Sequence, residues 1–374
     1  MMETIKYLHI MTHHNSTHNG SIINMINDEN LQYEPAEHIF LMAKKASYED
    51  FKHYENVILY EEIVTSNMQE FNKYARRSKV VFLHCNNLTY FQILRLKRDV
   101  LKKIIWCVWG EHYLYPSKPK NQSLYKSIRR YIGKVLRYLT NKRIRKFYAI
   151  GIGFKYDAIA VRKQFGDIRI LATPYGYQKG RKEAYDKIIA VSLIKDKLEP
   201  FKIMIGHSAY PHLKHIKNLD NLNKFKDENI LISLILSYGD MEYAKIVEEY
   251  ALKKFPGKVE IIKNYMSSEE YFNYLNSVDI SILDYTEQAA LGNFWNLLYL
   301  EKKLFLNENG ILKLSARLEG VKTFSVNEIE NMSFDEFVAF SRYASHSKEC
   351  AKFYIDENNY LKMWCNTFQE LNQY

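Results

Sequence analysis

The sequence predicts an α/β protein made of two Rossmann-like, doubly wound domains, residues 1–190 and 191–374, facing a central cleft. Three observations carry the prediction. Short apolar runs rich in β-branched residues alternate with helix-length amphipathic stretches through most of the chain. Many of those runs end in small or polar residues, as buried parallel strands do where an open sheet meets a ligand. The alternation breaks once, near 175–200, where Pro174, Gly176 and Gly180 lead into a charged, mixed stretch, and then restarts. A chain of 374 residues also exceeds what one core usually supports.

In the first half, strands are expected at 5–10, 39–42, 57–60, 80–83, 147–152 and 169–171, with another that starts at 104 and stops at the corner Gly110-Glu111-His112. Helices are expected from Ser21, over 68–75, over 90–101 as one element, and over 155–165. In the second half the strands fall at 202–205, 230–236, 259–262, 278–283 and 303–306. Helices follow at 241–255, from the capping box Ser267-Ser268-Glu269-Glu270 to Asn276, and from Leu291. Ser333-Phe334-Asp335-Glu336 caps a late helix, and 344–373 reads as mostly helical, with the option of packing back on the first domain.

Charge is local. Between His112 and Tyr156 stand twelve Lys or Arg and no Asp or Glu; the chain is +10 overall, so removing those twelve leaves −2. Within this tract Tyr125, Ile128, Ile132, Val135 and Leu139 recur at spacings of 3, 4, 3 and 4, an amphipathic helix with an apolar stripe and a cationic remainder. Such a helix suits an anionic membrane surface, through Lys126, Arg129, Arg130, Lys134 and Arg137. The alternatives are a domain-packing helix with a solvated basic face, or a non-enzymatic binder of nucleic acid or anionic membrane. No recognised nucleic-acid module accompanies the basic tract, so nucleic acid is not the expected partner.

Other classes drop out. The longest apolar runs fall far short of the ~20 residues that span a bilayer. Residues 1–6 do not open as a signal peptide, which gives the expectation of a cytoplasmic protein, peripheral on the inner face of the cell membrane. Cys85, Cys107, Cys350 and Cys365 lack metal or redox spacing, and His13, His14 and His18 come without an acidic ligand, so neither metal nor cofactor is expected. There is no G-x-S-x-G, Walker loop or cysteine-centred signature, which leaves transfer chemistry without a covalent intermediate.

Strand ends then nominate residues. Glu111 beside Trp109 is the first candidate for a general base, since a carboxylate in a partly dry cleft has its pKa raised towards the working range; His112, His18 and His84 stand behind it. The plain alternative for Glu111 is a helix cap, and for His84 likewise simple helix capping. Gly206, His207 and Ser208 form a strand-to-helix turn that lets the backbone approach a phosphate, with the next helix supplying N–H donors. Tyr238 is placed to stack on a base, and Gln288, Gly292 and Asn293 open the helix after the 284–290 loop.

The order and spacing of these short motifs resemble glycosyltransferase family 56. They are His18-Asn19 after the first strand, His84 ending a strand, Trp109-Gly110 with its aromatic continuation, Gly206-x-Ser208, Ser237-Tyr238, and the stretch from Gln288 to Gly292. The resemblance runs from about residue 5 to about 310. It implies a GT-B-type glycosyltransferase that is inverting and metal-independent. It would move 4-acetamido-4,6-dideoxygalactose from its dTDP-sugar to a polyprenyl-diphosphate-linked or other surface-polysaccharide acceptor. The donor nucleotide-sugar would be held mainly by the C-terminal domain, through Gly206, His207, Ser208, Tyr238, Gln288, Gly292 and Asn293. The acceptor and membrane would fall to the N-terminal one, with Trp109. Cys107, His112, Glu287 and His207 stand where the family tends to have His, Asp, Arg and Asn. Lacking that Arg, the leaving diphosphate would need helix N-termini, His207 or Lys214.

Overall fold

A computed structural model describes residues 5–13, 16–29, 31, 33–109, 124–191 and 199–373. The chain divides into two compact units, Met1–Lys179 with Asn358–Tyr374, and Gly180–Glu357. The division therefore falls at 179/180, ahead of the expected 190/191, and the last seventeen residues return to the first unit.

The first unit runs β1 (Ile5–Met11), α1 (Ser16–Ile26), β2 (His38–Met42), α2 (Lys45–Tyr48), β3 (Val57–Leu59), α3 (Gln69–Arg77), β4 (Ser78–His84), α4 (Tyr90–Arg95), α5 (Arg98–Leu101), β5 (Ile104–Cys107), α6 (Leu124–Ile144), β6 (Ala149–Ile152), α7 (Lys155–Phe165) and β7 (Ile170–Ala172). Its seven strands are all parallel, in the order β3-β2-β1-β4-β5-β6-β7. The order reverses beside β1, the point where doubly wound sheets open a crevice.

Side chains alternate across this sheet. Leu8, Ile10, Val81, Leu83, Ile104 and Trp106 pack one face against the α3, α4 and α7 side. Tyr7, Met11, Phe40, Phe82 and Cys107 pack the other, beneath α1 and the helix at the end of the chain.

Several elements differ from expectation, β5 among them, which ends at Cys107 before the Gly110-Glu111-His112 corner. The helix over 90–101 is two helices, because Leu96 and Lys97 are extended and the Asn72 carboxamide accepts the Lys97 N–H at 2.8 Å. The first helix starts at Ser16 instead of Ser21.

The second unit runs α8 (Arg181–Val191), β8 (Phe201–Ile205), α9 (His215–Leu222), β9 (Ile230–Ile235), α10 (Met241–Lys254), β10 (Val259–Ile262), α11 (Ser268–Ser277), β11 (Ile280–Leu283), α12 (Leu291–Tyr299), β12 (Lys303–Leu306), α13 (Ile311–Leu318), β13 (Phe324–Ser325), α14 (Phe334–Val338) and α15 (Ser341–Ile355). The strands are parallel, in the order β10-β9-β8-β11-β12-β13. Asp240 caps α10 and the Ser267–Glu270 capping box opens α11, as their sequences require. The final helix, α16 (Glu357–Asn372), lays Tyr360, Trp364, Phe368 and Leu371 on the first sheet, and the Trp364 indole N–H donates to the Pro174 carbonyl at 2.8 Å.

Candidate active site

In the second unit, the loops after β8, β9 and β10 and the start of α12 enclose a pocket of about 190 Å³ lined by His207, Ser237, Tyr238, Tyr265, Ser267, Tyr271 and Asn293 among others. The backbone explains why these loops meet. Gly239 lies at φ +119°, and a Cβ there would stand 2.8 Å from the Ala209 carbonyl oxygen. The Ala209 N–H donates to the Tyr238 carbonyl at 2.8 Å and the Asp240 N–H to the Ala209 carbonyl at 2.9 Å, which pins one loop to the other. Tyr238, 47 % exposed, lines the pocket, with its phenol within reach of the Ser208 hydroxyl. The Tyr271 phenol meets the Asn293 side chain, and burial holds its pKa well above the ordinary phenol value. Among the described residues that line the pocket there is no carboxylate. Aromatic walls with hydroxyl, amide and imidazole edges suit a heterocycle carrying polar substituents.

Below the pocket, Gly206 (φ +68°) gives close access to His215: a Cβ at Gly206 would lie 2.6 Å from the His215 Nε2. His215 is fully buried, and burial lowers its pKa to about 4, with His207 and His212 adding to the shift. His207 is held neutral in the same way, by burial first and His212 second. The helix after Gly206-His207-Ser208 begins only at His215, behind a short turn at Pro211–Leu213. The expected helix N-terminus therefore does not follow that turn directly. Lys214, nominated for a diphosphate, is ion-paired at 2.9 Å to Asp284, which is 1 % exposed and also binds Lys217 at 3.0 Å. The Asn307 amide completes this carboxylate's shell at 2.5 Å.

The first unit gathers rings at the carboxyl ends of β1, β4, β5 and β7. Trp109 lies 5.6 Å from His18, 5.7 Å from His84, 6.1 Å from His13 and 5.7 Å from Tyr175, centroid to centroid. His18 stacks on Tyr175 at 5.3 Å. Burial, with His13 second, lowers the His18 pKa to about 4. Behind this cluster His84 continues into the sheet: its Nε2 lies 2.9 Å from His9 Nδ1, and His9 Nε2 lies 2.9 Å from His38 Nδ1.

The structure thus brings His207, Tyr238 and Asn293 into one pocket, and His18, His84 and Trp109 into another cluster. Ser208 and Gly206 back the pocket without lining it, and Gln288 and Gly292 lie outside its lining. Glu111 and His112 lie outside the described residues. So do the side chains of Lys126, Arg129 and Arg130, while α6 itself carries their backbone. Arg137 donates to Gln164 at 3.1 Å.

Along the described side chains of α6 the stripe is largely exposed: Ile132 is 53 % exposed, Val135 41 % and Leu139 40 %, beside Tyr131 and Tyr138. Sequence reasoning missed Tyr265 and Tyr271, which flank a capping box read only as a helix start. It also missed His9 and His38, whose signal is a polar residue at an inward position of an apolar strand. Among the described residues no cluster of three metal-ligating side chains could hold a metal.

The sequence matches the family "4-alpha-L-fucosyltransferase glycosyl transferase group 56" over residues 2–372. No curated protein matches it. Among solved structures, a glycosyltransferase from Rickettsia africae ESF-5 is similar at TM-score 0.64 and 12 % identity, covering 99 % of both chains. Anabaena Alr3699/HepE in complex with UDP is similar at TM-score 0.67 and 10 % identity, covering 98 % of this chain and 100 % of that one. Sucrose-phosphate synthase from Thermosynechococcus elongatus gives TM-score 0.61 and 11 % identity, covering 98 % and 99 %. The fold is the GT-B type.

Proposed function

This chain belongs to glycosyl transferase group 56 and is a glycosyltransferase, and on that footing we propose that its donor is a nucleotide-sugar bound in the second unit. The observation that carries the reading is the pocket of Tyr238, Tyr271, Asn293 and His207, whose aromatic walls and polar edges fit a nucleobase and its ribose. Gly206, Ser208, Gln288 and Gly292 complete the donor set around it. Alr3699/HepE, of the same fold, has been crystallised with UDP and with UDP-glucose, which supports a nucleotide-sugar here.

The reaction is a single displacement with inversion and without a metal. An acceptor hydroxyl attacks the anomeric carbon, a base takes its proton, and the nucleoside diphosphate leaves. Glu111 is the first candidate for the base, followed by His112 and His18. The donor sugar is 4-acetamido-4,6-dideoxygalactose on dTDP, and the acceptor is a polyprenyl-diphosphate-linked or other surface-polysaccharide glycan, met by Trp109 in the first unit.

Exposure of Tyr131, Ile132, Val135, Tyr138 and Leu139 on a helix that also carries Lys134 and Lys142 supports docking on the anionic inner face of the membrane. No described helix is long and apolar enough to cross it.

The test is thermal shift of the full chain with UDP-, dTDP- and GDP-sugars, followed by transfer to a synthetic polyprenyl-diphosphate-linked disaccharide. Stabilisation by one nucleotide class and transfer with inversion are expected; a hundredfold excess over Kd stabilises by about 2.7 kcal/mol. Loss of the thermal shift in Tyr238→Ala is expected as well. No stabilisation by any nucleotide-sugar would overturn the donor assignment. Retention on duplex DNA at physiological salt, with no binding to anionic vesicles, would overturn the membrane assignment.

A further inference from the structure

Three histidines cross the first sheet in a line. His9 on β1 lies between His84 on β4 and His38 on β2, each link being 2.9 Å. The register explains the line. Tyr7 pairs with His38, His9 with Phe40 and Phe82, and Met11 with His84, so the three rings occupy diagonal positions on one sheet face. They are 0, 1 and 2 % exposed for His9, His84 and His38, among Phe40, Phe82, Trp364 and Phe368.

An apolar layer has no need of three imidazoles. Burying such groups costs free energy unless each is hydrogen-bonded, and apolar residues of the same size would fill the space without that demand. The chain ends at His84, against Trp109 of the ring cluster. A neutral imidazole has one N–H and one bare nitrogen. His9 spends both on its neighbours, so the chain has a direction, and fixing one proton fixes the others.

We propose that this chain locks the tautomer of His84, with Nδ1–H pointing at an oxygen of the glycosyl acceptor, so that His84 contacts substrate and His9 and His38 are positioning residues. The donation runs from His38 Nδ1–H to His9 Nε2, and from His9 Nδ1–H to His84 Nε2. This direction leaves the bare nitrogen at the His38 end and the N–H at the reacting end, beside Trp109. All three rings stay neutral, since burial lowers the pKa of His84 and of His38 to about 3 and that of His9 well below its ordinary value. A neutral donor can hold the oxygen of a hydroxyl while leaving that hydroxyl's proton to a separate base. No proton transfer through the chain is required.

The inference rests on the transferase reading, and its tests separate the two. Nitrogen-15 NMR of histidine-labelled full-length protein should show His84 as the Nδ1–H tautomer, unchanged between pH 8 and 5.5. An Nε2–H tautomer or an imidazolium in that range overturns the proposal with no substrate needed.

In kinetics with the polyprenyl-diphosphate-linked disaccharide, His84→Leu should raise acceptor KM at least tenfold with donor binding unchanged. His84→Asn, which retains an N–H near the Nδ1 position, should recover most of the loss. His38→Phe, remote from substrate, should mix the His84 tautomers and raise acceptor KM about threefold or more. Acceptor KM within twofold of wild type in both His84→Leu and His38→Phe, with transfer intact, overturns this inference alone. Failure of every nucleotide-sugar to bind overturns the transferase reading and leaves the tautomer measurement standing.

Discussion

The buried histidines make a quantitative statement about acid stability. An unfolded histidine takes up a proton near pH 6.5, whereas His38 and His84 in the native state do so only near pH 3. The folded pKa is the lower one, so these rings cost nothing well above pH 6.5. They destabilise progressively as pH falls from 6.5 towards 3, and add no further loss below that. Moving from pH 7 to pH 5 thus removes about 2 kcal/mol per ring from the stability of the first unit, with His9 adding in the same direction.

His38→Phe deletes one of these rings without exposing the site. At pH 7 it should cost about 1–3 kcal/mol, because His9 loses a partner in a dry layer. The difference in stability between pH 7 and pH 5 should nevertheless shrink by about 2 kcal/mol relative to wild type. Urea unfolding followed by tryptophan fluorescence suits the measurement: of the four tryptophans, Trp106, Trp109 and Trp364 belong to the first unit and only Trp295 to the second. Carboxylates that titrate in the same range cancel in the comparison. An identical pH 7 to pH 5 difference in the two proteins would refute the claim that His38 is neutral in the folded state.

Glu111→Gln should lower kcat by at least ~100-fold with nucleotide-sugar affinity retained, a split that isothermal titration and initial rates resolve; unchanged turnover removes Glu111 from the mechanism. Tyr238→Ala should weaken donor binding by about 5- to 100-fold, as loss of one stacked base does, and a smaller effect than twofold would mean that the ring does not face the base. Asp284→Asn strips Lys214 and Lys217 of their buried anion. With both lysines partly in solvent the expected loss is about 1–3 kcal/mol, read as a drop in the thermal midpoint of the second unit.

The parts of this molecule legible in the sequence are those fixed within a few residues. The start of the strand at 104, the helix from Met241 and the Ser267–Glu270 box are local patterns, and the structure reproduces them because local and tertiary preferences agree there. The pocket was half legible. His207, Tyr238 and Asn293 sit at strand ends or a helix start, whereas Tyr265 enters from the loop between β10 and α11, which carries no chemical signature of its own. The histidine chain was illegible because it depends on register between β2, β1 and β4, which sequence spacing does not give. The α6 stripe was read correctly as a helical face, but periodicity cannot say whether such a face meets core or solvent.

The return of α16 has a consequence for how the protein is made. The second unit is an insertion between Lys179 and Asn358, and the two crossings lie side by side, since Glu357 accepts from the Gly180 N–H at 2.9 Å and the Lys182 N–H at 3.2 Å. Both ends of the chain thus belong to the first unit, where Tyr7 donates to Asn372 at 2.8 Å. On the ribosome, residues 5–179 emerge before α16, yet keep Tyr7, Phe40 and Phe82 uncovered until Trp364 and Phe368 follow. The first unit therefore closes after the second, and a nascent chain halted near residue 357 carries a finished second unit while the first unit's apolar sheet face is still open to water.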